Sequence, residues 1–231
     1  METADTRTIG VIGTEPFLRL QKSHVLVFGI GGVGGYCAEA LVRSGIGELT
    51  IVDHDCVSVS NLNRQLIALH STLGEKKVDV MSRRLKDIRP DLKIHAVDAF
   101  YLPDHGMDPL FDKVDYIVDA IDTITAKLDL VEKAKQYQIP LISCMGTGNK
   151  MDPSQLKVAD IYATHTCPLC RVMRHELRKR NIDRLKVVFS EETPHKAVSD
   201  MGRTPGSLVF VPGSAGLLLA SEVVWDLMKK S

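Results

Sequence analysis

The chain has 231 residues, 44% hydrophobic and 25% charged, enough to bury a core in one domain without covalent staples. Its 29 Lys and Arg balance 29 Asp and Glu, so no global field draws it to nucleic acid or membrane, and any such partner must be met by a local patch. Five cysteines are an odd set in a long chain, which argues against a secreted disulfide framework and for a reducing compartment, the cytoplasm.

The first twenty residues lack a basic start followed by an apolar core, so no signal peptide is expected. HVLVFG (24–29) reads as a buried strand, Gly34 to Ser44 as a helix, and ELTIVD (48–53) as a second strand. Gly74 to Ile88 is periodic and charged on one side, a helix ended by Pro90. KIHAVDAF is a third strand and DYIVDAID (115–122) a fourth; Thr123 to Tyr137 is a helix and IPLISCMG a fifth strand. Strands alternating with helices imply a Rossmann-like α/β fold, a mostly parallel sheet with helices on both faces. LKVADI (156–161) is short and alternating, 168–181 is helical and basic, and RLKVVFS is a further strand. Residues 191–207 have no periodicity and many turn formers, which predicts a mobile loop. From Leu208 the pattern predicts a strand and then a packed C-terminal helix. No run reaches the ~18 apolar residues of a membrane span; the nearest, SLVFVPGSAGLLLASEVV, is broken by Pro212 and Gly213.

Gly29, Gly31 and Gly34 match G-x-G-x-x-G between a strand and a helix, with Gly32 inside the loop. The first glycine allows the tight turn, the second lets backbone approach phosphate, and the third allows close helix packing. Amides at the helix start then face an anion. Asp53, ending the second strand, is placed to accept from ribose hydroxyls. This loop alone fits NAD as well as ATP. The next stretch separates them, because it gathers Asp53, Asp55, Asn61, Arg64, Gln65 and Lys77. Singly, Arg64 or Lys77 reads as a solvated charge. Clustered after a glycine loop, they suit a triphosphate and its transition state. Asp122 at the carboxyl end of the fourth strand falls in the ligand crevice, where it can hold Mg²⁺; Asp119 reads equally as a ligand or a structural cap.

These residues, Gly29–Gly34, Asp53–Gln65, Gly74–Val78 and Asp119–Asp122, resemble the ubiquitin-activating-enzyme-like superfamily of adenylating enzymes. The resemblance implies ATP as cofactor: Asp53 on ribose, Asn61, Arg64, Gln65 and Lys77 on the triphosphate, and Asp122 on Mg²⁺. NKMDPSQLKVADIYATHTCPLCRVMRHELRKR, AIDTITAKLDLVEKAKQYQIPLISCMGTGNK and GSLVFVPGSAGLLLASEVV resemble the tRNA threonylcarbamoyladenosine dehydratases, over nearly the whole chain. That family implies one adenylating domain with a nucleotide-binding half over 24–150 and a substrate and dimer half over 151–231. It also implies adenylation of a threonyl carboxylate on the modified adenosine 37 of certain tRNAs, then ring closure within the same side chain. No enzyme cysteine is needed for that. The alternative is an adenylating enzyme for a small sulfur-carrier protein. At this length there is no room for an appended rhodanese or ubiquitin-fold domain, so sulfur transfer would call for a separate relay partner. An NAD-dependent dehydrogenase is disfavoured by the Arg64 and Lys77 cluster.

Cys56, beside carboxylates, and Cys144, on a strand, read as structural. Cys167 and Cys170 form a single C-x-x-C. His165 and His175 are the only neighbours that could complete a zinc site, and a packed thiol pair is the preferred reading. Arg171, Arg174, Arg178, Lys179, Arg180, Arg184 and Lys186 stand against Glu176 and Asp183. They read either as a solvated face or as a tRNA phosphate patch centred on Arg171, Arg174, Arg178, Lys179 and Arg180. The superfamily's homodimers often send an N-terminal arginine into the partner's ATP site. Arg7 fits that role or an ordinary surface position, and Arg19 fits it less well.

Overall fold

The computed structural model describes residues 3–103, 106–196 and 205–229. Strands β1 (His24–Phe28), β2 (Glu48–Asp53), β3 (Lys93–Asp98), β4 (Tyr116–Asp119), β5 (Leu141–Cys144), β6 (Leu156–Asp160) and β7 (Lys186–Ser190) form one sheet in the order β3-β2-β1-β4-β5-β7-β6. Neighbours run parallel except β6, which lies antiparallel to β7 at the edge. The central strands are apolar on both sides, as burial between two helical layers requires. On one face Val25, Val27, Leu49 and Ile51 meet α2 (Thr14–Lys22), α3 (Gly34–Ser44), α4 (Lys77–Ile88) and α7 (Phe210–Lys229), with α1 (Thr6–Ile12) outside them. On the other, Leu26, Phe28 and Ile117 meet α5 (Ile124–Tyr137), and Val187 and Phe189 meet α6 (Pro168–Lys179).

Three expectations need correction. There is no strand after Leu208: Phe210 already begins α7, which runs unbroken for 20 residues. Pro212 stands in its first turn, where a missing N–H costs nothing. Gly213 and Gly216 are contact points rather than breaks. A Cβ on Gly213 would make ordinary contact with the Tyr36 ring at 3.5 Å, whereas one on Gly216 would lie 2.3 Å from the Val33 carbonyl oxygen of α3's leading turn. By length and composition α7 could cross a membrane, yet half of that apolar window is buried inside the fold. Second, β4 stops at Asp119, so Asp122 lies in the following loop and not on the strand. Third, α4 starts at Lys77 rather than Gly74, because Cys56 and Lys76 form an antiparallel bridge just before it. The core of the expected mobile loop, 197–204, lies outside the described residues; 191–196 and 205–207 form no helix or strand.

One polar knot ties α7 to the amino ends of β4 and β7. Asp226 Oδ2 accepts from Tyr116 Oη and from Lys186 Nζ, each at 2.7 Å, and Glu222 accepts from Lys186 at 3.1 Å. Burial raises the Asp226 carboxyl, but hydrogen bonds from Lys186 and Tyr116 outweigh it and hold it below the usual range. Its stabilisation is therefore complete above the unfolded-state value of ~3.9 and is lost as pH falls through the lower folded value. Asp226→Asn is expected to unfold at lower temperature than the parent at pH 7, with the gap closing below about pH 4; parallel melts across pH check this. Gly216→Ala is expected to lose about 1–3 kcal/mol, because α7 must back away from α3; urea unfolding measures it.

Candidate active site

The sheet order reverses between β1 and β4, and the loops leaving their carboxyl ends part there. A cavity of about 510 Å³ opens between them. Its shape depends on backbone closeness. Gly29 takes φ 86°, and a Cβ on it would stand 2.7 Å from the Ala120 carbonyl oxygen. A Cβ on Gly34 would stand 1.7 Å from the Gly29 carbonyl oxygen. Gly34 thus sits behind the loop and closes the turn, while Gly29, Gly31 and Gly32 line the cavity.

Asp53 fastens the end of β2 to that loop. Its carboxylate accepts from the Ile30 amide at 2.6 Å and from the Asp55 amide at 2.8 Å. Lys77, at the start of α4, is 4% exposed and donates to Asp55 Oδ2 at 2.7 Å. Burial raises the Asp55 carboxyl, and the Lys77 hydrogen bond and charge bring it below its ordinary value. Asn61 closes a capping box with Ser58 on the short turn Val59–Asn61. That turn aims Arg64, whose guanidinium rests on Ser60 O at 2.8 Å and Asn63 Oδ1 at 3.0 Å. Gln65 Oε1 is the one buried side-chain polar atom without a partner among the described residues. Asp55, Asn61, Arg64, Gln65, Lys77 and Asp122 all line the same space as Asp53. An open acceptor, three lining glycines, a guanidinium and a buried ammonium fit a ligand with hydroxyls and phosphates. Asp122 is exposed and forms no ion pair among the described residues, so its carboxylate is open to a cation.

Sequence reasoning missed the support beneath. Lys127 and Asp119 are both fully buried. Lys127 Nζ donates to Asp119 Oδ2 at 3.0 Å, Ser143 Oγ at 3.2 Å and Cys144 O at 2.7 Å, and Ser143 donates to Asp119 Oδ2 at 2.5 Å. Asp119 Oδ1 accepts from the Ile121 amide at 3.1 Å. Asp119 is thus a structural anchor that fixes the loop carrying Asp122. The available signal was spacing: Lys127 falls on the apolar stripe with Leu130, Val131 and Ala134. The cavity also takes in His54, Phe100, Tyr101 and Thr147, which no motif singled out.

The other candidates, Cys144 excepted, do not line the cavity. Arg7 is exposed on α1. Arg19 donates to the Met228 carbonyl at 2.8 and 3.1 Å, satisfying the end of α7. On α6, Arg174 is held by Thr164, Arg178 stacks on Tyr162 at 5.2 Å, and Lys179 and Arg180 pair with Glu176. Arg171 and Arg184 are exposed, and Lys186 is spent on α7. His165 pairs with Glu191 at 3.2 Å and His175 faces Glu176, while the sulfurs of Cys167 and Cys170 are packed in the α5–α6 core. Cys56 is exposed. Cys144 is buried against the cavity, its thiol pushed up to about 12, chiefly by burial.

A glycine-loop Rossmann-like sheet with this polar cluster at its switch point defines a nucleotide-binding domain of the adenylating type. The ThiF family model matches residues 5–230, and the chain belongs to that family. It is 42% identical to the Bacillus subtilis tRNA threonylcarbamoyladenosine dehydratase, over 94% of this chain and 92% of that one. Its fold matches the crystal structure of the Escherichia coli tRNA N6-threonylcarbamoyladenosine dehydratase in complex with AMP. The TM-score is 0.90 at 32% identity, covering 96% of this chain and 92% of the other; the ATP complex of that protein matches at 0.88. A Salmonella typhimurium molybdopterin-synthase adenylyltransferase is 33% identical over 65% of the chain and 59% of its own length.

Lys127→Met leaves the Asp119 carboxylate buried and unpaired, with an expected loss of ~3–5 kcal/mol. Lys127→Met combined with Asp119→Asn is expected to recover more than half of it. Urea unfolding of both variants checks the pair.

Proposed function

We propose that this protein dehydrates N6-threonylcarbamoyladenosine at position 37 of tRNA, using ATP to adenylate its threonyl carboxylate. The carrying observation is the cavity that gathers Asp53, Asn61, Arg64, Gln65, Lys77 and Asp122 in a chain so similar, end to end, to named dehydratases. The carboxylate oxygen attacks the α-phosphorus and pyrophosphate leaves. A nucleophile of the same side chain then attacks the activated carbonyl, a ring closes and AMP leaves. The chain's own groups position and neutralise. Asn61, Arg64, Gln65 and Lys77 address the triphosphate and its growing negative charge, and Asp53 offers an acceptor to ribose hydroxyls. Asp122 would hold Mg²⁺, which lowers the charge on the phosphates when bound. The sulfur-carrier reading is less well supported, since relatives of that kind are 28–33% identical to this chain against 42% for the Bacillus subtilis dehydratase.

The same reading takes the protein as a cytoplasmic homodimer. Exposed Val11, Leu18, Leu217 and Trp225 on α1, α2 and α7 give a second copy an apolar face. Arg7 on α1 is then carried toward the partner's cavity. The half 24–150 binds nucleotide. The half 151–231 meets the partner and tRNA, with Arg171, Arg178 and Lys179 as the phosphate contacts that α6 leaves outward.

The test incubates the protein with ATP, Mg²⁺ and tRNA carrying the modification, then digests the tRNA mildly and weighs its nucleosides. Loss of one water from that nucleoside, dependent on ATP, is expected. Arg64→Ala and Lys77→Ala are expected to slow it ~10²-fold or more. An unchanged nucleoside mass with ATP still bound, together with pyrophosphate exchange on a carrier peptide, overturns the reading.

A further inference from the structure

The reaction above leaves Cys167 and Cys170 unused, and their placement is not that of ordinary core thiols. Cys167 is the N-cap of α6, Pro168 its first residue, and Cys170 stands in its first turn. Residues three apart on a helix hold their Cβ atoms ~5–6 Å apart, and a disulfide then needs only local side-chain and backbone adjustment. Both thiols are free and buried.

Their surroundings polarise them in opposite senses. Cys167 receives a hydrogen bond from the Cys170 thiol. This outweighs the cost of burial, and the nearby amides of Cys170 and Gly146 and the charge of Lys150 add to it, drawing Cys167 down to about 5. Cys170 is pushed up by donating to Cys167 and by burial. Lys150 stands close enough for its charge to act on Cys167. It is 3% exposed, and among the described residues its only hydrogen-bond partner is the Ser190 carbonyl at 3.3 Å. A buried ammonium without a carboxylate is costly unless a neighbouring group carries the negative charge.

The pair also backs the nucleotide cavity. Gly146 and Leu169 line it, and a Cβ on Gly146 would stand 4.0 Å from Cys167 Sγ. The sulfur thus lies one residue behind the wall. Bonding it to Cys170 removes the negative charge that the Gly146 amide and Lys150 face.

We propose that Cys167 and Cys170 are a reversible dithiol–disulfide pair, oxidised by a hydroperoxide, whose state reaches the nucleotide cavity through Gly146 and Leu169. The Cys167 thiolate attacks the distal peroxide oxygen and the O–O bond breaks. The leaving alkoxide takes a proton as alcohol, and Cys167 becomes a sulfenic acid. The Cys170 sulfur then attacks the Cys167 sulfur, an S–S bond forms, and hydroxide leaves with the Cys170 proton as water. Two electrons pass from the sulfurs to the peroxide, and a dithiol reductant reverses the change. The effect on the cavity rests on its holding ATP; the thiol chemistry does not.

The test treats the purified full chain with hydrogen peroxide, alkylates the remaining thiols and maps peptides by mass. ATP affinity is measured on the reduced, oxidised and re-reduced protein. Expected are a disulfide confined to Cys167 and Cys170, lost on re-reduction, and ATP affinity at least about fivefold weaker in the oxidised form. In Cys170→Ser, a dione probe is expected to trap sulfenic acid on Cys167; Cys167→Ser is expected to give none on Cys170. Oxidation at exposed Cys56 with the pair still reduced overturns the proposal, as does trapping on Cys170 in Cys167→Ser. A disulfide that leaves ATP affinity within twofold overturns the coupling to the cavity. A disulfide in a protein that binds no ATP when reduced overturns the nucleotide reading instead, and the pair stands. The peptide map on the unsubstituted chain holds whether or not either serine variant folds.

Discussion

No side-chain carbon fits at Gly34. Its missing Cβ is what lets α3 start directly against the carbonyl of Gly29, and from that approach the site follows. The turn after β1 stays tight, the amides at the head of α3 face the switch point, and Gly29 in turn presses on Ala120 of the next loop. Two loops from different strands are thereby held at backbone contact distance. A cavity framed this way is rigid where phosphates would lie, since glycine contacts have no rotamers to relax.

The second constraint is charge. Asp119 has no exposure, and Lys127, Ser143 and the Ile121 amide all address its carboxylate. Such a knot adds little net stability over an apolar one, but it is intolerant of losing a single member. It also joins β4, β5 and α5 beneath the loop that carries Asp122. The exposed acid that lines the cavity is placed by a buried acid that does not line it.

Much of this was legible because the signals were local. Apolar runs bounded by glycine gave β1 and β2 to within a residue, and Gly34 to Ser44 matches α3 at both ends. The cavity residues were legible as a cluster, since a strand end, a turn and a helix start lie close in sequence between Asp53 and Lys77. Lys127 was illegible because a lysine on a helix is ordinarily solvated, and only its partners, far apart in sequence, reverse that. The start of α7 was misread for a related reason. Pro212, Gly213 and Gly216 look like interruptions in one dimension, yet in three they are where α7 lies closest to α3.

Three lysines, Lys77, Lys127 and Lys150, are buried among the described residues, and all three stand at or just behind the wall of one cavity. The chain as a whole is neutral, so this is a local field. Lys127 is fully matched by Asp119. Lys77 is matched by Asp55, whose carboxylate is half exposed and so free to exchange its partner for water when a phosphate arrives. Lys150 has no carboxylate partner among the described residues. From Lys127 to Lys77 to Lys150 the positive charge is thus progressively less compensated. An anionic ligand would complete the balance at Lys77. At Lys150 one group able to do so is the sulfur of Cys167, on which its charge acts, and the charge of that sulfur depends on its oxidation state.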